Sequence, residues 1–182
     1  DNTGIGVGLS FVASDADNPI GYPYQMHIKS LKGSDNRHWG GYYHSITSSA
    51  NVIYYYVFCA KIPVGYKVDV YCNSIGDDSF QRMLTDDKGT GEWTWYAAMI
   101  ACNNTGEFNT FGFVAVYPED ENTTATQVEW DVAYTNIING TSKRALAEDY
   151  IKSIVAMNPM PDEVTVVTPV TKEELAGLEH SC

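Results

Sequence analysis

The chain has 182 residues, is 44% apolar and 13% aromatic, and carries a formal charge of −12 from 11 Lys and Arg against 23 Asp and Glu. That is the size of one ordinary domain with an appended segment, and its apolar and aromatic content excludes intrinsic disorder because burial offsets the ordering entropy. No run reaches the roughly 18 apolar residues of a spanning helix, nothing reads as a signal peptide or polybasic anchor, and a pI near 4.5 without a basic stripe offers a phosphate backbone no counterion release, so neither nucleic acid nor membrane insertion is expected. With Asp1 rather than Met at its head, the chain reads as processed or as part of a longer protein.

Through residue 142 short blocks of Tyr, Thr, Val and Ile alternate with turn chemistry such as Asp15-Ala-Asp-Asn-Pro19, Pro63-Val-Gly65 and Asp86-Asp-Lys-Gly89. About nine strands are predicted, over 4–13, 22–31, 41–48, 51–62, 66–72, 79–84, 92–101, 108–117 and 126–137. With no helical pattern between them, they point to an all-β protein, an antiparallel jelly-roll-like β-sandwich over residues 1–142.

The first strand opens on Gly4-x-Gly6-x-Gly8. No helix follows, so this is no dinucleotide loop, and alternating glycines in an edge strand let another backbone approach closely. The segment 51–62 is apolar on both faces, which fits either a central strand covered on both sides or one whose outer face carries ligand-contacting rings. In 66–72, Tyr66, Val68, Val70 and Cys72 share a face. In 126–137, Val128, Trp130, Val132 and Tyr134 are expected inside and Gln127, Glu129, Asp131 and Thr135 outside.

Beyond residue 142 the period changes. Leu146, Tyr150, Ile154 and Met157 recur at helical spacing between a Ser142 N-cap and an Asn158-Pro159 stop, predicting an amphipathic helix of about four turns. An extended stretch around Val164–Thr168 and a short acidic helix complete the 143–182 appendage, whose expected role is docking onto the sandwich or a neighbouring subunit.

Chemistry-bearing patterns are sparse. Cys59, Cys72, Cys102 and Cys182 lack metal-type spacing, and reduced, buried thiols are expected for the first three. Three N-x-[ST] matches, at Asn103, Asn122 and Asn139, are explained equally well by turns. No nucleophile elbow, zinc-protease or phosphate-loop motif is present, and the expectation is no enzyme. His38 and His44 flank Trp39-Gly-Gly-Tyr-Tyr43 without a third partner fixed by spacing, and His27 reads as a polar or structural histidine. Asp15, Asp17 and Asn18 supply three oxygen-bearing side chains within four residues, suited to calcium, although a plain turn is the simpler explanation. No other cofactor is expected.

Ring surplus is the strongest functional signal. Trp93 and Trp95 share a strand face with Ala97 and Met99, while Tyr96 takes the other; Trp39, Tyr42 and Tyr43 crowd a glycine-rich stretch beside His44. Flat rings with polar tips suit sugar faces and protein interfaces. Trp39, Tyr42, Tyr43, His44, Trp93 and Trp95 are therefore the candidate ligand-binding residues.

Gly41-Tyr-Tyr-His-Ser-Ile-Thr47, Ala60-Lys-Ile-Pro-Val-Gly-Tyr66, Gly89-Thr-Gly-Glu-Trp-Thr-Trp-Tyr96, Gly106-Glu-Phe-Asn-Thr-Phe-Gly-Phe-Val-Ala-Val116 and Val128-Glu-Trp-Asp-Val-Ala-Tyr134 together resemble the jelly-roll domains of tailed-bacteriophage fibre and adhesin-like virion proteins, which are similar to carbohydrate-binding modules. The resemblance spans about residues 40–137. It implies a non-enzymatic, often trimeric virion component that binds host-surface glycans and other virion proteins, assembled in a bacterial cytoplasm. It also implies that Asp131 matches the late-strand Asp that helps hold structural calcium in such modules. The rival expectations are a purely structural oligomer with no small ligand and a glycan-active enzyme on the same fold.

Overall fold

A computed structural model describes residues 7–33, 39–44, 47–48, 52–73, 79–102, 106–107, 110–142 and 144–158, with the side chains of a few of these strand residues left aside. Its elements are β1 (Val7–Ala13), β2 (Tyr24–Leu31), β3 (Gly41–His44), β4 (Thr47–Ser48), β5 (Val52–Lys61), β6 (Tyr66–Asn73), β7 (Ser79–Met83), β8 (Trp93–Cys102), β9 (Gly106–Glu107), β10 (Thr110–Pro118), β11 (Gln127–Asn139) and α1 (Arg144–Met157). Among the described residues eleven strands replace the nine expected, because 41–48 divides into β3 and β4 and because β9 is a two-residue piece paired with β4. The predicted segments beyond residue 158 lie outside the described residues.

Nine of the strands form a six-stranded sheet in the order β1-β2-β11-β5-β8-β7 and a three-stranded sheet in the order β3-β10-β6, and β4 and β9 pair separately, antiparallel throughout. The protein is an all-β sandwich, with one helix among the described residues. Between the sheets Ile28, Tyr56, Phe58, Tyr96, Val114, Val116 and Trp130 pack into the main core. On the far side of the large sheet a second core joins Ile53, Tyr55, Val57, Ala97 and Met99 to Ala147, Ile151 and Ile154 of α1. Strand β5 is thus apolar on both faces because it is central and covered on both: even positions face the small sheet, odd ones the helix.

Local chemistry explains the corners. The Pro63-Val64-Gly65 turn from β5 to β6 is closed by the Tyr66 N–H donating to the Pro63 carbonyl at 3.3 Å, and Gly65 takes the positive φ of 85° that its third position demands. Gly41 starts β3 where the backbones of β3 and β10 nearly touch, since a Cβ there would lie 1.7 Å from the Val114 carbonyl oxygen. The turn into α1 is held by the Asn139 side-chain oxygen, which accepts the Thr141 and Ser142 N–H groups at 3.1 and 2.9 Å.

Two expectations of facing are corrected. In β11 the pairing with β5 shifts between Val132 and Tyr134, looping out Ala133. Side-chain parity inverts there. Trp130 and Val132 point into the main core as expected, but Tyr134 turns to the helix side, 5.5 Å from the Trp95 ring, and Thr135 turns inward to Tyr56. In α1 the buried residues are Ala147, Ile151 and Ile154, whereas Leu146 and Met157 are exposed. Of the expected stripe, Ile154 is buried and Tyr150 packs against the same core, while the small Ala147 and Ile151 take the places on the sheet that Leu146 and Met157 do not.

Among the described residues the small sheet stops short of the large sheet's β1 edge. Leu9 and Phe11, opposite Ile28 and Met26 on the inner face, are 48% and 73% exposed, and Tyr24, opposite Ala13, is exposed beside them.

Candidate functional site

The outer face of the large sheet has a dry part under α1 and an open part beside it. Strand register builds the open part. Ser10 is opposite His27, His27 opposite Asp131, Asp131 opposite Lys61, and Lys61 opposite Trp93. Direct partners share a face, so these five side chains form one row across β1, β2, β11, β5 and β8. Four strand-to-strand steps span about 19 Å.

Within the row each charge has a partner. His27 turns Nδ1 to Asp131 Oδ1 at 2.9 Å and Nε2 to Glu129 Oε2 at 3.6 Å, and Lys29 stands 3.8 Å from the other Glu129 oxygen. The loop after β1 folds onto this face: Gln25 Oε1 accepts the Asp15 N–H at 2.9 Å and the Asn18 amide at 3.2 Å. Asp15 and Asp17 thereby reach Lys61, whose Nζ donates to their carboxylates at 3.4 and 3.0 Å. The second Asp17 oxygen accepts the Trp93 indole N–H at 3.3 Å, and the Lys61 ammonium lies 5.9 Å from the Trp93 ring centroid. The Lys61 hydrogen bond holds the Asp17 carboxyl below its ordinary range, and Asp17 in turn raises Lys61.

The expected ligand-binding residues fall in three places. Trp93 and Trp95 are half-buried on the outer face, Trp93 ending the row and Trp95 packed against Tyr134 next to α1, with its carbonyl accepting the Asn158 amide at 3.2 Å. Trp39 and Tyr42, expected as surface rings, are 2% and 6% exposed in the inter-sheet core, on the opposite side of the large sheet from Trp93. For Tyr42 the reason is alternation in β3, which turns it against Trp130 at 5.8 Å and leaves Tyr43 on the solvent side, whereas Trp39 precedes β3 and is held by an isolated bridge to Lys32. His44 follows Tyr42 inward, half-buried, with Nε2 3.2 Å from Thr135 Oγ1. His38 lies outside the described residues. These six residues do not form one surface.

The expected calcium ligands are also divided. Asp15 and Asp17 are engaged by Lys61, Asn18 Oδ1 accepts the Ile20 N–H at 2.9 Å, and Asp131 is taken up by His27. Among the described residues no three His, Cys, Asp or Glu side chains are grouped as a metal ion requires. Cys59 is a free, buried thiol; the side chains of Cys72 and Cys102 lie outside the description.

Sequence reasoning missed Lys61, His27 and Glu129 as members of the site. Lys61 ends an otherwise apolar strand, a local oddity, but only long-range register shows that it lies between Asp131 and Trp93. No protein-family model, no curated protein and no solved structure matches the chain.

Proposed function

We propose that this is a non-enzymatic glycan-recognition domain of a virion fibre or decoration protein, binding saccharides along the outer-face row with Trp93 as its stacking platform. The observation that carries the reading is the row's composition. A half-buried indole tethered by Asp17 and flanked by Lys61 is followed by the planar acceptors and donors of Asp131, His27 and Glu129. Sugars offer an apolar C–H face to a ring and hydroxyls to such groups. The strip's four carboxylates, Asp15, Asp17, Glu129 and Asp131, are poised to accept hydroxyl donors.

The jelly-roll assignment belongs to the same proposal. Supporting it is strand order: β2-β11-β5-β8 in one layer and β3-β10-β6 in the other, with chain neighbours β2 and β3, or β5 and β6, placed in opposite layers. Serine, histidine and aspartate follow one another in the row, the residue types of a nucleophile relay. Both nitrogens of His27 face carboxylates, however, and the row lies on an open sheet face, which favours binding over catalysis.

A screen of the chain against immobilised glycans tests the reading. Trp93→Ala should weaken binding by about 0.5–1.5 kcal/mol per stacked ring, a several-fold loss, while Trp93→Phe keeps most of it. No binding to any glycan, or binding indifferent to Trp93→Ala, overturns it. A purely structural role is the second reading, favoured by the uncovered Leu9 and Phe11.

A further inference from the structure

Strand β1 ends the large sheet, and among the described residues its outer edge pairs with nothing. All seven of its residues are in continuous register with β2, without a bulge. Sheet edges in soluble proteins are ordinarily blunted by lysine, proline, bulges or a covering element, because unpaired N–H and C=O groups invite another strand. Val7–Ala13, Val-Gly-Leu-Ser-Phe-Val-Ala, has neither charge nor proline. Its inner face adds Leu9 and Phe11, 48% and 73% exposed beyond the small sheet's margin.

We propose that this edge joins two copies of the chain, β1 against β1, antiparallel about Ser10. Three features select a second copy as the occupant. Centred on Ser10, the strand is self-complementary: Leu9 of one copy faces Phe11 of the other, so apolar cross-strand pairs form twice, on the matching face. In a chain of charge −12, an uncharged stretch is where like copies approach with least repulsion. The backbone ladder supplies directional bonds along the whole strand. The contact is small, below about 1,200 Å², so the dimer is weak and depends on concentration. Two-fold pairing closes at two copies, and a trimer would need another surface.

Pairing also aligns the outer faces. Ser10 meets Ser10 of the second copy, and the two polar rows become one, with a Trp93 at each end. The dimer stands without the glycan reading, and the fused row rests on it.

Sedimentation of the full chain from low micromolar to near-millimolar concentration should show the mass rise from one copy to two. Phe11→Lys should hold it at one, whereas Val64→Lys, at an equally exposed turn residue, should dimerise like the parent. A folding-independent readout uses cysteines. Ser10→Cys places two thiols across the pair at a Cα separation of about 4.5–5.5 Å, within disulfide range, and should cross-link under mild oxidation. Val12→Cys, offset from its counterpart by four residues, should not exceed the parent's background. A parent that stays monomeric, a mass that rises to three, a Phe11→Lys chain that dimerises like the parent, or Ser10→Cys cross-linking no faster than Val12→Cys overturns the proposal. Glycan binding by the monomeric Phe11→Lys chain separates this outcome from the fate of the binding reading.

Discussion

The Thr135 hydroxyl donates to the phenolic oxygen of Tyr56 at 2.8 Å inside the sandwich, and the looped-out Ala133 is what turns Thr135 inward to do so. Thr135 also stands 3.2 Å from His44 Nε2, so one small side chain links a core tyrosine to a half-buried imidazole. Burial and the neighbouring Tyr42 push the Tyr56 phenol far above its ordinary range, which keeps it protonated.

Thr135→Val keeps the shape and removes the hydroxyl, leaving the fully buried Tyr56 oxygen short of a partner. The expected loss is about 1–3 kcal/mol in urea denaturation, with Thr135→Ser close to the parent. In the double variant with Tyr56→Phe the loss should be smaller than the sum of the single ones.

His44 gives stability a pH dependence of definite sign. Burial lowers its pKa from the ordinary 6.5, so as pH falls the unfolded chain takes up the proton first. Its contribution is therefore complete above the unfolded value and declines as pH drops through it towards the folded one. Denaturation midpoints between pH 7.5 and 5 should fall more steeply for the parent than for His44→Gln.

Helix α1 offers a contrast between neighbouring faces. Ile151→Ala, beneath the helix, should cost about 2–5 kcal/mol, whereas Leu146→Ala, exposed on its outer side, should change stability by less than about 0.5 kcal/mol. Equal losses at both positions would mean that the helix lies on a different face.

Gly41→Ala should destabilise by about 1–3 kcal/mol or more, because its methyl group would overlap the Val114 carbonyl and force β3 away from β10. Thermal melting checks this. Gly21→Ala, with open space around a positive φ of 74°, should cost less.

Most strand positions were legible because alternation and turn chemistry are local. The two-faced run over 51–62 was legible for the same reason, although deciding between a strand covered on both sides and one with ligand-contacting rings needed the neighbours. Three things were not legible. The Ala133 bulge leaves no mark in composition, yet it exchanges the faces of Tyr134 and Thr135. The helix face was half legible: Ile154 and Tyr150 do face the sheet, but Leu146 outweighs Ala147 in hydrophobicity while Ala147 wins in closeness of approach. The burial of Tyr42 in β3, and of Trp39 just ahead of it, follows from that segment facing the larger sheet, and the polar row from pairings as distant as Asp131 with His27, neither of which a local pattern encodes.

Cys59 sits towards the end of β5 with no solvent exposure, and burial pushes its thiol up to about 12. A thiolate is the reactive form of sulfur, so this position stays chemically silent towards alkylating and oxidising reagents as long as the sheet is closed. Slow labelling at that one atom would then act as a built-in clock, ticking only when the middle of the molecule opens.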